Sequence, residues 1–418
     1  MPLTMSSSTT TPFTARALPP TAPPSARAVF ALLRKLQIGV LDVQLFDGTQ
    51  LQFGQAREGE PRAAMRLLDW SVCAAVLKSG DIGLAESYIA GRWSTPDLVG
   101  LLKLLLANHA AIEGIVYGSR LGSLWYRVKH LLNRNSRQGS RKNIHAHYDI
   151  GNAFYSLWLD QTMNYSSAWF DGDPTQPMVQ AQQAKMRRAL RECRLLPGQR
   201  LLEIGCGWGA VAELAAGEFG ADVLGVTLSS EQLDYAQQRL QSSALTGRAE
   251  LRLQDYRDLT RDTPAGGFDA IVSIEMFEAV GRAYWPGYFA TLRHQLARGG
   301  RACVQSITIR DDLFERYARS TDFIQQYIFP GGMLPSPAVF RAEAARAGLV
   351  VVNELAFGAD YAETLRRWRL RFLAQEAEVH QLGFDTRFLR TWEYYLSVCE
   401  AAFAAGNTSV VQFTLQHA

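Results

Sequence analysis

The nine residues Leu201-Leu202-Glu203-Ile204-Gly205-Cys206-Gly207-Trp208-Gly209 constrain the fold of this chain more than any other stretch. The apolar run 201–204 has the length and composition of a buried strand. Three glycines in five positions then permit a tight turn that a chain bearing Cβ atoms avoids. An Ala-rich segment with helical spacing follows over 210–219. Strand, glycine turn and helix bring backbone N–H groups and a helix N-terminus to one point, the arrangement that receives a nucleotide. The spacing Glu-x-Gly-x-Gly-x-Gly differs from the Gly-x-Gly-x-x-Gly of dinucleotide enzymes.

Downstream of this motif, strands and helices alternate as a parallel sheet requires. Strands are expected at 200–204, 221–226, 249–253, 268–274, 301–307 and 350–356. Helices are expected at about 180–194, 209–219, 230–241 and 284–296. Residues 309–346 read as a helical insertion around Phe329-Pro330-Gly331-Gly332, and 361–406 as two long helices rich in Leu, Phe, Trp and Tyr. Such additions build a lid or channel over an α/β site. The expected fold class is α/β: a doubly wound Rossmann-like sheet with helical lid insertions, plus a smaller mixed N-terminal domain. In that domain 38–53 alternates as a hairpin turning at Asp47-Gly48, and helices follow near 81–91 and 95–108.

The chain of 418 residues divides into a disordered tail (1–27), an N-terminal domain (28–115), a basic amphipathic linker (116–140) and a catalytic region (141–418). The tail is rich in Ser, Thr, Pro and Ala and lacks the apolar centre of a secretory signal. At 47% hydrophobic and 20% charged the composition is that of an ordinary globular protein. No apolar run approaches the ~20 residues that span a bilayer. Five scattered cysteines, an odd number without zinc spacing, suit reduced thiols in the cytoplasm.

The net charge of +3 says less than its distribution. Between Gly114 and Tyr148 there is no Asp or Glu, but there are Arg120, Arg127, Lys129, Arg134, Arg137, Arg141 and Lys142. Leu121, Leu124, Trp125, Val128, Leu131 and Leu132 recur there at helical spacing. An apolar stripe flanked by cations suits a helix lying on an anionic lipid surface. It equally suits an interdomain helix packed on its own protein. The window has no stacking platform beside it, so no nucleic-acid partner is expected.

Ligands of doubly wound sheets sit at the carboxyl ends of the strands. There the chain offers Thr227 and Gln232, both able to bond ribose hydroxyls, and Gln254 and Asp255, placed to meet an adenine edge. Glu278 lies in an apolar run at the end of the fourth strand, where it can hold a cation or take a proton. His145 and His147 flank one residue with no third ligand, so no metal is assigned.

Several ordered motifs together resemble the cyclopropane-fatty-acyl-phospholipid synthase family, within the class I S-adenosylmethionine-dependent methyltransferases. They are His147-Tyr148-Asp149-x-Gly151-Asn152, Tyr165-Ser166-x-Ala168, the 203–209 turn, Gly225-Val226-Thr227-Leu228-Ser229, 253–258, Met276-Phe277-Glu278, 327–332 and 357–361. Gly83-Leu84-Ala85-Glu86-Ser87-Tyr88 resembles the N-terminal domain of the phospholipid-acting members. The resemblance implies methyl transfer from S-adenosylmethionine to a cis double bond of a phospholipid acyl chain, through a carbocation, with ring closure to a cyclopropane. It maps cofactor contacts onto Tyr165, Ser166, Gly205, Cys206, Gly207, Thr227, Gln232, Gln254 and Asp255. It maps a bicarbonate cradle onto Ser167, Glu278, Gln305, Ile307 and Tyr361, with Tyr148 in the same catalytic set. It also implies unsaturated membrane phospholipid as partner, peripheral contact with the inner face of the membrane, and a homodimer through the N-terminal domain.

Three positions depart from the family pattern: Ser167 replaces Cys, Gln305 replaces His, and Ala279 replaces a frequent His. Gln cannot relay a proton as His can. An alternative product is a methyl-branched unsaturated chain without a ring. A methyltransferase for a small soluble acceptor would share every cofactor motif but leaves the basic linker and extra domain without a purpose. A non-catalytic lipid carrier would not need the glycine turn or Glu278.

Overall fold

The computed structural model describes residues 18–112, 150–261 and 265–418, and the chain separates into two compact units, Met1–Gly122 and Ser123–Ala418. The basic window, His145, His147 and Tyr148 lie outside the described residues.

In the first unit, helix α1 (Pro24–Leu33) precedes strands β1 (Val40–Gln44), β2 (Gln50–Gly54), β3 (Arg62–Leu67) and β4 (Trp93–Ser94). The sheet order is β2-β1-β3-β4, with β1 antiparallel to β2 and parallel to β3. The hairpin turns at Asp47-Gly48, where Asp47 accepts the Thr49 N–H and Gly48 takes φ +84°. Helix α2 (Ser71–Ile89) breaks at Gly80, and α3 (Leu98–Ala107) packs on β3. Helix α1 begins inside the expected 1–27 tail. Proline is pre-organised for a first helical turn, and Ala26, Val29, Phe30 and Leu33 bury one stripe.

The second unit holds a seven-stranded sheet: β5 (Arg200–Ile204), β6 (Asp222–Thr227), β7 (Arg248–Leu253), β8 (Phe268–Ile274), β9 (Leu296–Ile309), β10 (Leu349–Ala356) and β11 (Thr408–His417). Its order is β10-β11-β9-β8-β5-β6-β7. Strands β5 to β9 run parallel, and β11 is antiparallel to both of its neighbours. From β5 the chain builds outward to β6 and β7, then crosses back to β8. The order therefore reverses at β5/β8, the place where such sheets bind ligands.

Six of the seven strands lie where the sequence places them. The seventh, β11, has no sequence forecast. Its residues Val410 to Leu415 are all buried because it runs between β9 and β10 with both faces covered, so it shows no alternation. Strand β5 buries Leu202 and Ile204 in a cluster with Phe289, Phe340 and Phe413. It buries Leu201 against Met186, Leu214 and Val223 on the other face. Each such side chain contributes about 1.5–3 kcal/mol by leaving water.

Among the described residues the helices of this unit are α4 (Asn152–Trp158), α5 (Met178–Glu192), α6 (Ala210–Glu218), α7 (Ser230–Ser242), α8 (Trp285–Gln295), α9 (Asp311–Tyr317), α10 (Phe323–Tyr327), α11 (Pro337–Arg346), α12 (Gly358–Ala374), α13 (Glu376–Gln381) and α14 (Thr386–Ala404). Helices α12 and α14 pack together. No helix among the described residues is long and apolar enough to cross a membrane. The five cysteines are free thiols, four of them buried.

Candidate active site

The turn after β5 works through backbone conformation. Gly205, Gly207 and Gly209 take φ of +87°, +50° and +83°. A Cβ on Gly209 would lie 2.9 Å from the Ala236 Cβ, and one on Gly205 would lie 3.0 Å from the Met276 Cγ. These two glycines let the turn close against α7 and the end of β8. A Cβ on Gly207 would meet nothing within 4 Å, so the middle of the turn faces open space. The N–H groups of Gly205 and Cys206 both donate to the Val226 carbonyl, at 2.9 and 3.0 Å, and pin the turn to β6.

At the end of β6, the Thr227 hydroxyl donates to Gln232 Oε1 at 3.1 Å, and Ser229 caps α7 by accepting the Gln232 N–H. The Gln254 N–H donates to the Thr227 carbonyl at 3.0 Å, which brings the β7 end alongside. Asp255 is 2% exposed and grips Arg257 through both oxygens, at 2.8 and 2.5 Å. Gly205, Cys206, Gly207, Thr227, Gln232, Gln254 and Asp255 therefore share one edge of the sheet. Hydroxyl, amide and carboxylate groups beside an open glycine suit an adenosyl group. From the other side, Asn152 accepts the Trp208 indole N–H at 2.7 Å and donates to the Glu231 carbonyl at 3.1 Å.

A second constellation lies at the end of β8, on Glu275. This residue follows the strand at φ +48°. Its Oε1 accepts the Ser167 N–H at 2.9 Å and the Gln305 side-chain amide at 2.8 Å, and its Oε2 accepts the Tyr361 hydroxyl at 2.6 Å. The polarity of this network is set from its far end. Arg188 can only donate, and it donates to Gln412 Oε1 at 2.6 Å. The Gln412 amide nitrogen must then donate, to Gln305 Oε1 at 3.0 Å. That turns the Gln305 nitrogen toward Glu275.

Lys185 is fully buried and donates to the Ser166 hydroxyl at 2.6 Å. Burial lowers its pKa to about 8, against the opposing pull of Glu275 and then Asp160. Burial raises the Glu275 pKa, and Tyr361, Lys185, Ser167 and Gln305 each oppose the rise.

The segment carrying Tyr165, Ser166 and Ser167 is tied down on several sides. The Ala168 N–H donates to Thr364 at 3.1 Å, the Phe170 N–H to Asp360 at 2.8 Å, and Gln182 donates to the Ser166 carbonyl at 2.9 Å. The Tyr165 and Tyr395 hydroxyls meet at 2.7 Å. The Tyr165 ring lies among Trp158, Trp368 and Phe329 at centroid distances of 5.4, 5.6 and 6.5 Å.

Glu278 stands on a single 3-10 turn, Phe277–Ala279. One carboxylate oxygen accepts the Ile307 N–H, while Oε2 is enclosed without a hydrogen-bond partner. Burial, followed by the like charge of Glu275, pushes its pKa up to about 8. The lid insertion reaches this turn, where the Met333 N–H donates to the Glu278 carbonyl at 2.9 Å.

The structure thus brings together Ser167, Glu278, Gln305, Ile307 and Tyr361, but arranges them around a residue to which sequence reasoning gave no role. Ser167 contributes its backbone N–H, because its hydroxyl donates to the Ala168 carbonyl at 2.8 Å. The donors suited to a bicarbonate ion, on Ser167, Gln305 and Tyr361, are bonded to the Glu275 carboxylate instead. Gln412 belongs to the strand without a sequence forecast, and Lys185 and Arg188 lie in the helix expected at about 180–194, to whose side chains the sequence reading gives no role. The one available signal for Glu275 was a second carboxylate in the apolar run that ends at Glu278. Among the described residues no group of three or more His, Cys, Asp or Glu side chains could hold a metal ion.

Comparison with known proteins places these features in context. A family profile described as mycolic acid cyclopropane synthetase matches residues 135–413. The chain is 38% identical over 347 residues to a tuberculostearic acid methyltransferase of Mycobacterium tuberculosis, covering 81% of this chain and 79% of the relative. It is 35% identical over 361 residues to the cyclopropane-fatty-acyl-phospholipid synthase of Escherichia coli K12, covering 86% and 89%. A solved mycolic acid cyclopropane synthase, crystallised with SAH and CTAB, superposes with a TM-score of 0.61 at 30% identity, over 66% of this chain and 98% of that one.

Proposed function

Because this chain belongs to the mycolic acid cyclopropane synthetase family of S-adenosylmethionine-dependent methyltransferases, we propose that it methylates a cis double bond in the acyl chain of a membrane phospholipid. The observation that carries this reading is the pairing of an open glycine turn with two enclosed carboxylates beside a wall of aromatic rings. When bound, S-adenosylmethionine supplies an electrophilic methyl group. Gly205, Cys206, Gly207, Thr227, Gln232, Gln254 and Asp255 hold its adenosyl part, and Tyr165 and Ser166 lie on the side toward the carboxylates.

An alkene is a poor nucleophile with no acidic proton, so the protein must align it, exclude water and stabilise a cation. The faces of Tyr165, Trp158, Trp368 and Phe329 favour positive charge and repel little hydrocarbon. The basic stretch within 114–148 supports contact with an anionic bilayer at the inner membrane face, and the N-terminal unit is the candidate dimerisation surface.

One cation leads to two products. Proton loss from the new methyl group closes a cyclopropane. Loss from a neighbouring chain carbon leaves a methyl-branched unsaturated chain, and Gln305 and Ala279 favour this second outcome because neither can relay a proton. Incubation with unsaturated phospholipid vesicles and methyl-labelled cofactor should place label in the lipid. Proton NMR then decides between products, since upfield cyclopropyl signals appear only with the ring. Label found only in a small soluble acceptor would overturn the proposal.

A further inference from the structure

We propose that the Glu275 carboxylate is the built-in base of this site, filling with a side chain the anion position that an external bicarbonate would otherwise take. The inference rests on the methyl-transfer reading and holds for either product. Three donors converge on Glu275: the Ser167 N–H, the Gln305 amide and the Tyr361 hydroxyl. A bicarbonate would need the same three. The run from Arg188 through Gln412 and Gln305 ends on Glu275 as an acceptor, so the network is built for an anion at that position. The buried Lys185 cation supports that charge.

Of the two carboxylates, Glu278 accepts one backbone N–H and bears the repulsion of Glu275. Two negative charges do not share an enclosed site readily, so Glu275 is the ionised member and Glu278 the protonated one near neutral pH. Glu275 also keeps a left-handed backbone that favours glycine, which places its carboxylate back among the donors. In the step assigned to it, a C–H bond of the new methyl group, or of the chain carbon next to the cationic carbon, gives its proton to a Glu275 oxygen. The C–H electron pair stays in the lipid, as the ring-closing C–C bond in the first case and as the π bond of a new C=C in the second. Glu275 becomes a carboxylic acid and returns its proton to water after the product leaves.

The test uses the full chain, unsaturated phospholipid vesicles and labelled cofactor, with buffers freed of carbon dioxide under argon. The parent protein should turn over equally with and without added bicarbonate. Glu275→Gln should lose about 100-fold or more in kcat while binding S-adenosylhomocysteine as before, the loss expected when a general base is removed. Glu275→Gly suits the backbone at this position and opens the anion position. Its kcat should rise at least tenfold with millimolar bicarbonate, while Glu275→Gln should not respond. A parent that needs bicarbonate, a Glu275→Gln variant with near-parental kcat, or a folded, cofactor-binding Glu275→Gly variant indifferent to bicarbonate would each overturn the proposal. A parent that methylates no lipid under any condition defeats the functional reading itself, which is a separate result.

Discussion

Two adjacent strand ends of one sheet solve the same backbone problem in opposite ways. After β5 the chain turns through positive φ three times, each time at glycine. After β8, which pairs with β5, it turns through positive φ at Glu275. The first turn keeps side chains away so that a ligand can approach backbone. The second accepts a cost of about 1–2 kcal/mol for a side chain in the left-handed region. Three hydrogen bonds to a charged acceptor, each worth about 1.5–3 kcal/mol, are enough to offset it. A residue held against its backbone preference by surrounding donors marks a position where the side chain itself is needed.

The sharpest way to break this comparison is to neutralise the two carboxylates separately. Near pH 7, Glu275→Gln should lower kcat about 100-fold or more. Glu278→Gln should lose no more than about tenfold, because a pKa of about 8 keeps Glu278 protonated and an amide resembles a carboxylic acid. Equal losses would show that the two ends of the turn do not differ in role.

The same pair predicts a pH dependence of stability. The folded protein holds the Glu278 proton up to about pH 8, whereas an unfolded glutamate releases it near 4.5. The native state then binds more protons between those values, so this contribution is complete below pH 4.5 and is lost as pH rises toward 8. Urea denaturation of Glu278→Gln should show a smaller fall in stability between pH 5 and 8 than the parent. Parallel slopes would place the buried charge elsewhere.

A smaller effect is expected one residue further out. Gln412→Glu keeps an acceptor for Arg188 but cannot donate to Gln305 Oε1. Gln305 is then free to turn its oxygen toward Glu275, exchanging a donor for a repulsive contact. A loss near 1.4 kcal/mol corresponds to about tenfold in kcat, with S-adenosylhomocysteine affinity unchanged. Parental kcat in this variant would show that Gln305 is oriented by something other than Gln412.

The difference between the two strand ends is also a difference in what sequence can show. Gly205, Gly207 and Gly209 are visible because only glycine takes that turn cheaply, and residue type alone carries the message. Thr227, Gln254 and Asp255 are visible because they stand at or directly after the end of a strand marked by its apolar run, and Gln232 because it lies in the first turn of the helix that follows. Glu275 hides because its meaning lies in partners 30, 86 and 108 positions away. Gln412 hides because a strand covered on both faces has no alternation, and its single polar group reads as an interruption. Ser167 is visible as a position but not as a donor, since no residue type reveals that its backbone acts while its hydroxyl turns to Ala168.

The smallest predicted effect tests the backbone argument directly. Glu275→Ala and Glu275→Gly both remove the carboxylate and its three hydrogen bonds, so they differ only in backbone preference. At an ordinary position Ala is more stable than Gly by about 0.5–1 kcal/mol, because glycine loses more freedom on folding. At φ +48° the alanine Cβ instead crowds the following carbonyl, a cost of about 1–2 kcal/mol that glycine avoids. The two effects oppose each other, and the crowding is the larger. Glu275→Gly should therefore exceed Glu275→Ala in unfolding free energy by about 0.5–1 kcal/mol. At Gly209 the corresponding comparison, Gly209→Ala against the parent, should show a larger loss of the same sign, because the added Cβ also meets Ala236 at 2.9 Å. If alanine proves the more stable residue at position 275, the left-handed backbone there is absent in solution, and the contrast between the two turns disappears with it.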